Sequence, residues 1–243
     1  MDKLWELIEN SKRIVFFGGA GTSTESGIPD FRSAEGLYAS NYRNIPPEEI
    51  LSHGFMYENT DLFFSYITKN LIYPDAEPNR LHKTLVELEK EGKLIAVITQ
   101  NIDNLHQKAG SENVIELHGT LYKNYCISCK KPYSLEEVLA RESEAHPTPL
   151  CDCGAFIRPD VVLYGEGLKM ETMMRAEEAL ARADLLIVGG TSLTVYPAAA
   201  FVGYFRGENL VIINKSETPY NNEAVLVINE SIGDALDLKR RTR

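Results

Sequence analysis

The feature that most limits the fold is a set of six short apolar runs spread along the chain. They are Ile14-Val15-Phe16-Phe17, Leu94-Ile95-Ala96-Val97-Ile98, Val114-Ile115-Glu116-Leu117, Leu185-Leu186-Ile187-Val188, Leu210-Val211-Ile212-Ile213 and Ala224-Val225-Leu226-Val227-Ile228. Runs this short and this rich in β-branched residues suit strands buried on both faces of a parallel sheet. Helical patterns lie between them, at 79–91 with Leu81, Leu85 and Leu88 in helical register, and at 171–183. This alternation predicts an α/β fold, a Rossmann-like doubly wound parallel sheet.

Each run ends in small or polar residues: Gly18-Gly19-Ala20-Gly21, Thr99-Gln100-Asn101, His118-Gly119-Thr120, Gly189-Gly190-Thr191-Ser192, Asn214-Lys215-Ser216 and Asn229-Glu230-Ser231. Turns and helix caps explain any one of these. Their recurrence after every strand predicts a binding crevice, because open parallel sheets bind ligands beyond the carboxyl ends of their strands.

Two segments break the alternation. Residues 28–80 carry Pro29, Pro46, Pro47, Pro74 and Pro78, with helical stretches near 48–53 and 60–71. Residues 122–160 carry a helical stretch near 134–144 and all four cysteines. The expected organisation is a Rossmann-like domain of 1–27, 81–121 and 161–243, with a smaller helical and cysteine-bearing domain of 28–80 and 122–160 inserted into it. The basic tail Lys239-Arg240-Arg241-Thr242-Arg243 reads as a frayed end.

Composition narrows the function. Lys and Arg total 25 against 35 Asp and Glu, a net charge of -10. That balance argues against non-specific nucleic-acid binding, which relies on neutralising phosphates. No apolar run approaches the roughly 18 residues of a membrane span, and the acidic, amphipathic start Met1-Asp2-Lys3-Leu4-Trp5-Glu6 is unlike a signal peptide. A cytoplasmic protein is expected, and a monomer, since no dimerisation segment stands out. The cysteines read Cys126-Ile127-Ser128-Cys129 and Cys151-Asp152-Cys153. Two close pairs in such a chain point to one structural zinc closed by four thiolates. A redox pair at Cys126 and Cys129 would leave the second pair unexplained.

Gly19-Ala20-Gly21 after a strand resembles a dinucleotide loop, but Thr24 stands where the third glycine of that fingerprint would be. Its glycines let backbone N–H groups approach a phosphate, and Phe31 and Arg32 add an aromatic ring and a cation nearby. His118 ends a predicted strand at the ligand edge, where a neutral imidazole suits a general base. Asp103 reads as a cap for the helix through Leu105, as a ligand residue, or as both.

Taken together, GAGTSTESGIPDFRS at 19–33, TQNIDNLHQKAG at 99–110, HGT at 118–120, RPDVVLYGE at 158–166 and GTSLTVYPA at 190–198 resemble the sirtuin family of NAD-dependent protein deacylases, in its compact bacterial form. One departure is Gly18, where many members carry Thr. A second is the single residue, Asp152, between the last two cysteines, where two are common. The resemblance implies transfer of an acetyl group from lysine to ADP-ribose with release of nicotinamide. It implies that Ala20, Gly21, Ser23, Thr24 and Arg32 hold pyrophosphate and ribose, and that Phe31 shields the reacting ribose carbon. It further implies Gln100 and Asn101 at the ribose, Ile102 and Asp103 at the nicotinamide amide, Thr191, Ser192 and Asn214 at the adenosine half, and Ile232 near the adenine. His118 and Asn101 would be catalytic.

In the family an acetylated peptide adds as a strand between two segments, here Val161, Val162, Leu163, Tyr164, Gly165 and Glu166 on one side and Ser192 to Pro197, with Val195, on the other. Glu166 reads as a surface acid beside this strand. Members that prefer succinyl-lysine carry a Tyr-x-x-Arg pair; Ser65 and Thr68 align there, and a one-residue shift gives Tyr66 and Lys69. An apolar acyl pocket is therefore expected. The same site could serve a mono-ADP-ribosyltransferase or a non-catalytic NAD sensor, but His118, Asn101 and Asp103 are all present, which favours deacetylation.

Overall fold

In the computed structural model, which describes residues 2–241, each apolar run contains a strand. The strands are β1 (Ile14–Gly18), β2 (Leu94–Thr99), β3 (Val114–Glu116), β4 (Gly119–Cys126), β5 (Pro132–Ser134), β6 (Ile157–Val161), β7 (Leu185–Gly189), β8 (Asn209–Ile213) and β9 (Leu226–Ile228). The helices are α1 (Lys3–Asn10), α2 (Pro47–Ile50), α3 (His53–Glu58), α4 (Thr60–Asn70), α5 (Arg80–Lys90), α6 (Leu105–Ala109), α7 (Leu135–Leu139), α8 (Met170–Arg182) and α9 (Ile232–Ala235). No helix among the described residues is long and apolar enough to cross a membrane.

The large sheet is parallel throughout, in the order β3-β2-β1-β7-β8-β9. The chain builds outward from β1 to β3, then crosses to β7 and builds the other way. The strand order reverses between β1 and β7, and the crevice of such a sheet opens there. Alternation along β1 feeds two cores. Val15 and Phe17 join the layer with Ala176 and Leu180 of α8, whereas Ile14 and Phe16 join Leu4, Trp5 and Ile8 of α1 and Leu81, Leu85 and Leu88 of α5. Full burial of each such side chain stabilises the fold by about 1.5–3 kcal/mol.

A small antiparallel sheet, β5-β4-β6, stands beside the large one. The composition of β4, GTLYKNYC, hides it, because its pattern is half polar and its partner β6 is distant in sequence. β4 begins directly after His118 and ends at Cys126. Helices α2, α3 and α4 bury Ile50, Met56, Phe63 and Phe64 against Leu121, Val161 and Leu163, so the helical module and the small sheet share a core.

Two expectations need correction. The helix near 134–144 is only Leu135–Leu139; Ser134 and Glu137 form its capping box, and the chain then turns so that Glu142 accepts a hydrogen bond from Thr68 at 2.7 Å. The basic tail is tied down through Arg241, whose guanidinium pairs with Glu91 at 2.6 Å and Glu9 at 2.5 Å, while Arg240 meets Glu230 at 2.9 Å. Thr242 and Arg243 lie outside the described residues.

Candidate active site

A cavity of about 850 Å³ opens at the reversal point, and the residues the motifs associate with nucleotide or peptide line it, except Leu193 and Thr194. Its floor begins where β1 ends. The chain turns through a short 3₁₀ turn, Ala20–Thr22, fixed by the Gly21 N–H to Gly190 carbonyl bond at 2.8 Å and by Thr22 Oγ1 donating to the Gly19 carbonyl at 2.7 Å. A Cβ on Gly21 would sit 2.8 Å from the Gly190 Cα, so only glycine allows this approach. That bare backbone, with room above it, fits the diphosphate of a dinucleotide.

Buried polar groups brace the turn. Asn101 Nδ2 donates to Thr22 Oγ1 at 2.9 Å and to Ser23 Oγ at 3.0 Å; Ser23 Oγ donates to Asp103 Oδ2 at 2.6 Å. The N-cap of α6 is Asn104 and not Asp103; Asp103, one residue earlier, still accepts the first helical N–H, that of Leu105, on Oδ1 at 3.0 Å. Burial raises the Asp103 carboxyl above its ordinary range, against the pull of Ser23 and the backbone donors. Gln100 Nε2 donates to Thr191 Oγ1 at 3.0 Å and joins the two sides of the crevice.

His118 Nδ1 lies 3.0 Å from the Gln100 carbonyl oxygen. A carbonyl only accepts, so Nδ1 carries the proton and Nε2 keeps its lone pair. Burial lowers the His118 pKa from its ordinary 6.5, and the Gln100 bond opposes this only in part. The ring is therefore a neutral base at neutral pH.

On the outer wall Phe31 packs edge-on to Tyr38 with centroids 5.2 Å apart, and the Arg32 guanidinium lies 6.0 Å from the same ring. Asp30 Oδ1 accepts the N–H groups of Arg32 and Ser33 and shapes this turn. At the far end are Thr191, Ser192, Asn214 and the buried Ile232; Asn214 Nδ2 donates to the Ser216 carbonyl at 2.8 Å.

The segment 161–166, expected to face a peptide, is pinned from both ends. The Val162 N–H donates to the His118 carbonyl at 2.9 Å, and Tyr164 pairs with Leu51 and His53 through backbone bonds. Glu166, expected as a surface acid, is instead the partner of buried Arg158, with contacts at 2.7 and 3.0 Å. Its Oε2 also accepts the Leu163 N–H at 3.0 Å, and its Oε1 meets His53 Nδ1 at 2.8 Å. Burial alone would raise the Glu166 carboxyl; Arg158 and these further partners overcome it and hold the group at about 2.

Away from the crevice, all four cysteine sulfurs lie within 4.8 Å of one another. The closest pairs, Cys126–Cys153 at 3.4 Å and Cys129–Cys151 at 3.6 Å, are too far apart for disulfides and close enough for one tetrahedral ion. Tyr133 donates to the Cys151 sulfur at 3.1 Å, and Asp152 turns outward to Lys131 and Arg141. The short Cys-x-Cys spacing thus still closes the cluster.

The family model described as Sir2 family matches residues 19–197. The chain belongs to the Sir2 family. Among curated Sir2 relatives, the NAD-dependent protein deacetylase of Clostridium tetani is 54% identical over 236 residues, covering 96% of this chain and 94% of that protein. That of Clostridium acetobutylicum is 51% identical over 239 residues, covering 98% and 96%. A solved Sir2 structure with a p53 peptide and NAD+ superposes with a TM-score of 0.85 at 40% identity, covering 97% of this chain and 95% of that one. Another, bound to a propionylated peptide, gives 0.85 at 38% identity over the same shares. Arg158 lies inside a Sir2 motif but carries no assigned role from sequence. Its burial and its pairing with Glu166 depend on the turn at 162–166, which no local pattern announces.

Proposed function

We propose that this chain is an NAD-dependent protein lysine deacetylase that moves the acetyl group of acetyl-lysine to ADP-ribose and releases nicotinamide. The observation that carries the reading is His118: a half-buried imidazole with its free Nε2 in a cavity shared by a phosphate-fitting turn and a peptide-side segment. Bound NAD would supply the labile ribose–nicotinamide bond, which would break, releasing nicotinamide, as the acetyl oxygen bonds to the ribose carbon. His118 takes the proton of a ribose hydroxyl at Nε2, with its ring held by Gln100. Asn101 orients the ribose and an ordered water, and Phe31 keeps bulk water from the reacting carbon. Ile102 and Asp103 hold the nicotinamide amide, and a carboxyl raised by burial suits a hydrogen bond to that amide. Ala20, Gly21, Ser23, Thr24 and Arg32 take the pyrophosphate and its ribose; Thr191, Ser192, Asn214 and Ile232 take the adenosine half.

The acetylated peptide adds as a strand between Val161, Val162, Tyr164, Gly165 and Glu166 and the segment around Val195. Main-chain bonds then give affinity for many sequences. Cys126, Cys129, Cys151 and Cys153 hold one structural zinc. The functional units are 1–27, 81–121 and 161–243 for the nucleotide, and 28–80 with 122–160 for the smaller domain. We read the protein as a cytoplasmic monomer that engages neither nucleic acid nor membrane, in keeping with its net charge of -10.

The direct test incubates the protein with NAD and an acetyl-lysine peptide. Nicotinamide and deacetylated peptide should appear one for one. Nicotinamide without deacetylation would mark an ADP-ribosyltransferase, and no consumption of NAD would mark a sensor.

The acyl pocket supports acetyl over acidic acyl groups. Ile67 of helix α4 and Leu71, just beyond its end, line the cavity alongside Leu121 and Leu163. Thr68 is engaged with Glu142, Ser65 Oγ lies 3.4 Å from the Tyr42 hydroxyl, and Lys69 is exposed. A buried carboxylate would find no partner among these groups. Acetyl peptide should exceed its succinyl counterpart in kcat/KM by at least about tenfold, which needs only about 1.4 kcal/mol of differential transition-state binding. Equal rates would show that a cation reaches the pocket.

A further inference from the structure

Glu25 follows directly on the turn that carries Ser23 and Thr24, yet its carboxylate reaches across the crevice to the last helix. Its Oε1 accepts the Ser231 hydroxyl at 2.8 Å, 206 residues away, and the Gly233 N–H at 3.1 Å. Arg80 approaches its Oε2 at 3.4 Å and bonds Asp234 at 2.6 Å. A Cβ on Gly233 would fall 2.3 Å from the Glu25 Oε2, so any side chain there would push the carboxylate aside. Between these contacts sits Ile232, buried at the adenosine end of the cavity. Asn79, next to Arg80, holds the back of the same turn through the Thr22 carbonyl at 2.8 Å and the Ser26 hydroxyl at 3.1 Å.

We propose that Glu25 is a positioning residue for the dinucleotide: it latches the phosphate turn to helix α9 and so sets the span between the phosphate end and the adenine wall. The inference rests on the NAD reading of the cavity. The turn and the helix come from opposite ends of the chain, and the hydrogen-bond partners that span them are those of Glu25 itself, with Arg80 placed to neutralise Glu25 and Asp234 together. Charge-assisted bonds of this kind are short-range and directional, which suits fixing a distance. The hydrogen bonds of Glu25 go to Arg80, Ser231 and Gly233 and not to His118 or the peptide-side segment, so its loss should act on nucleotide binding and not on proton transfer.

The test compares Glu25→Ala, Glu25→Gln and Ser231→Ala with the unchanged protein, in steady-state kinetics and in direct binding of ADP-ribose. If an open latch leaves a tenth of molecules competent, the KM for NAD and the Kd for ADP-ribose of Glu25→Ala rise about tenfold, while kcat at saturating NAD and the peptide KM stay within about twofold. Glu25→Gln keeps an acceptor for Gly233 and Ser231 and should recover part of the loss. Ser231→Ala, which removes one donor to Glu25 and also the side-chain cap of α9, should weaken NAD binding and add less than its own effect to Glu25→Ala. An unchanged KM for NAD in Glu25→Ala overturns the latch. So does a parallel loss of kcat and both KM values, which would mean general loosening. Failure of the unchanged protein itself to bind ADP-ribose would instead overturn the NAD reading.

Discussion

Replacing His118 by alanine should lower turnover by about 10²–10⁴ and leave NAD bound, because a general base contributes to the barrier and not to the grip on the nucleotide. The Gln100 carbonyl loses its donor, which costs about 1–3 kcal/mol of stability, so the variant is best assayed well below its unfolding temperature. The pH profile of the unchanged protein supplies a second check with a defined sign. Burial lowers the His118 pKa from 6.5, so activity should fall on acidification only through a pKa below 6.5 and be level at neutral pH. A titration calorimeter reports NAD binding in the variant, and a stopped assay reports its rate. Near-normal turnover, or an acid limb above 6.5, would remove His118 from the role of base.

Stripping the metal should be nearly as damaging. The Cys126, Tyr133, Val138, Cys151 and Ile157 cluster is a small core, and the four sulfurs sit within and beside it. Structural zinc contributes about 10–16 kcal/mol of apparent binding free energy in isolated zinc modules, far more than such a core supplies. Freshly purified protein should contain one zinc per chain. Strong chelators, or Cys126→Ser, should unfold the β5-β4-β6 sheet and abolish most activity, seen together by circular dichroism and by deacetylation rate. The link to activity runs along β4, which joins Cys126 to the residue after His118. Active protein free of zinc would show that the cluster is dispensable.

How much of the molecule is legible in its sequence depends on whether the physics is local. β1 and β7 are buried along their whole length, so their apolar runs announce them, and the glycine turn beyond β1 is evident from its spacing. The cysteine pairs likewise state their chemistry in one line. β4 does not announce itself, because Lys123 and Asn124 interrupt it and its stability comes from pairing with β6 across the cysteine module. Glu166 reads as a solvent-facing acid from its neighbours, and only the folded turn brings buried Arg158 beneath it. The helix after Ser134 is shorter than its sequence suggests: its charged continuation has good helical propensity, but the tertiary bond from Thr68 to Glu142 prevails.

The single bond from the Val162 N–H to the His118 carbonyl has a bearing on how such chains diverge. It makes the segment 161–166 and His118 neighbours on one hydrogen-bonded ladder. Side-chain replacements at Val161 or Leu163 can reshape what is accepted without moving the imidazole. An inserted or deleted residue between 159 and 165 would shift both at once. On the proposed function, a new substrate preference should therefore come from exchanged side chains on a segment of fixed length, because a change of length there would also displace His118.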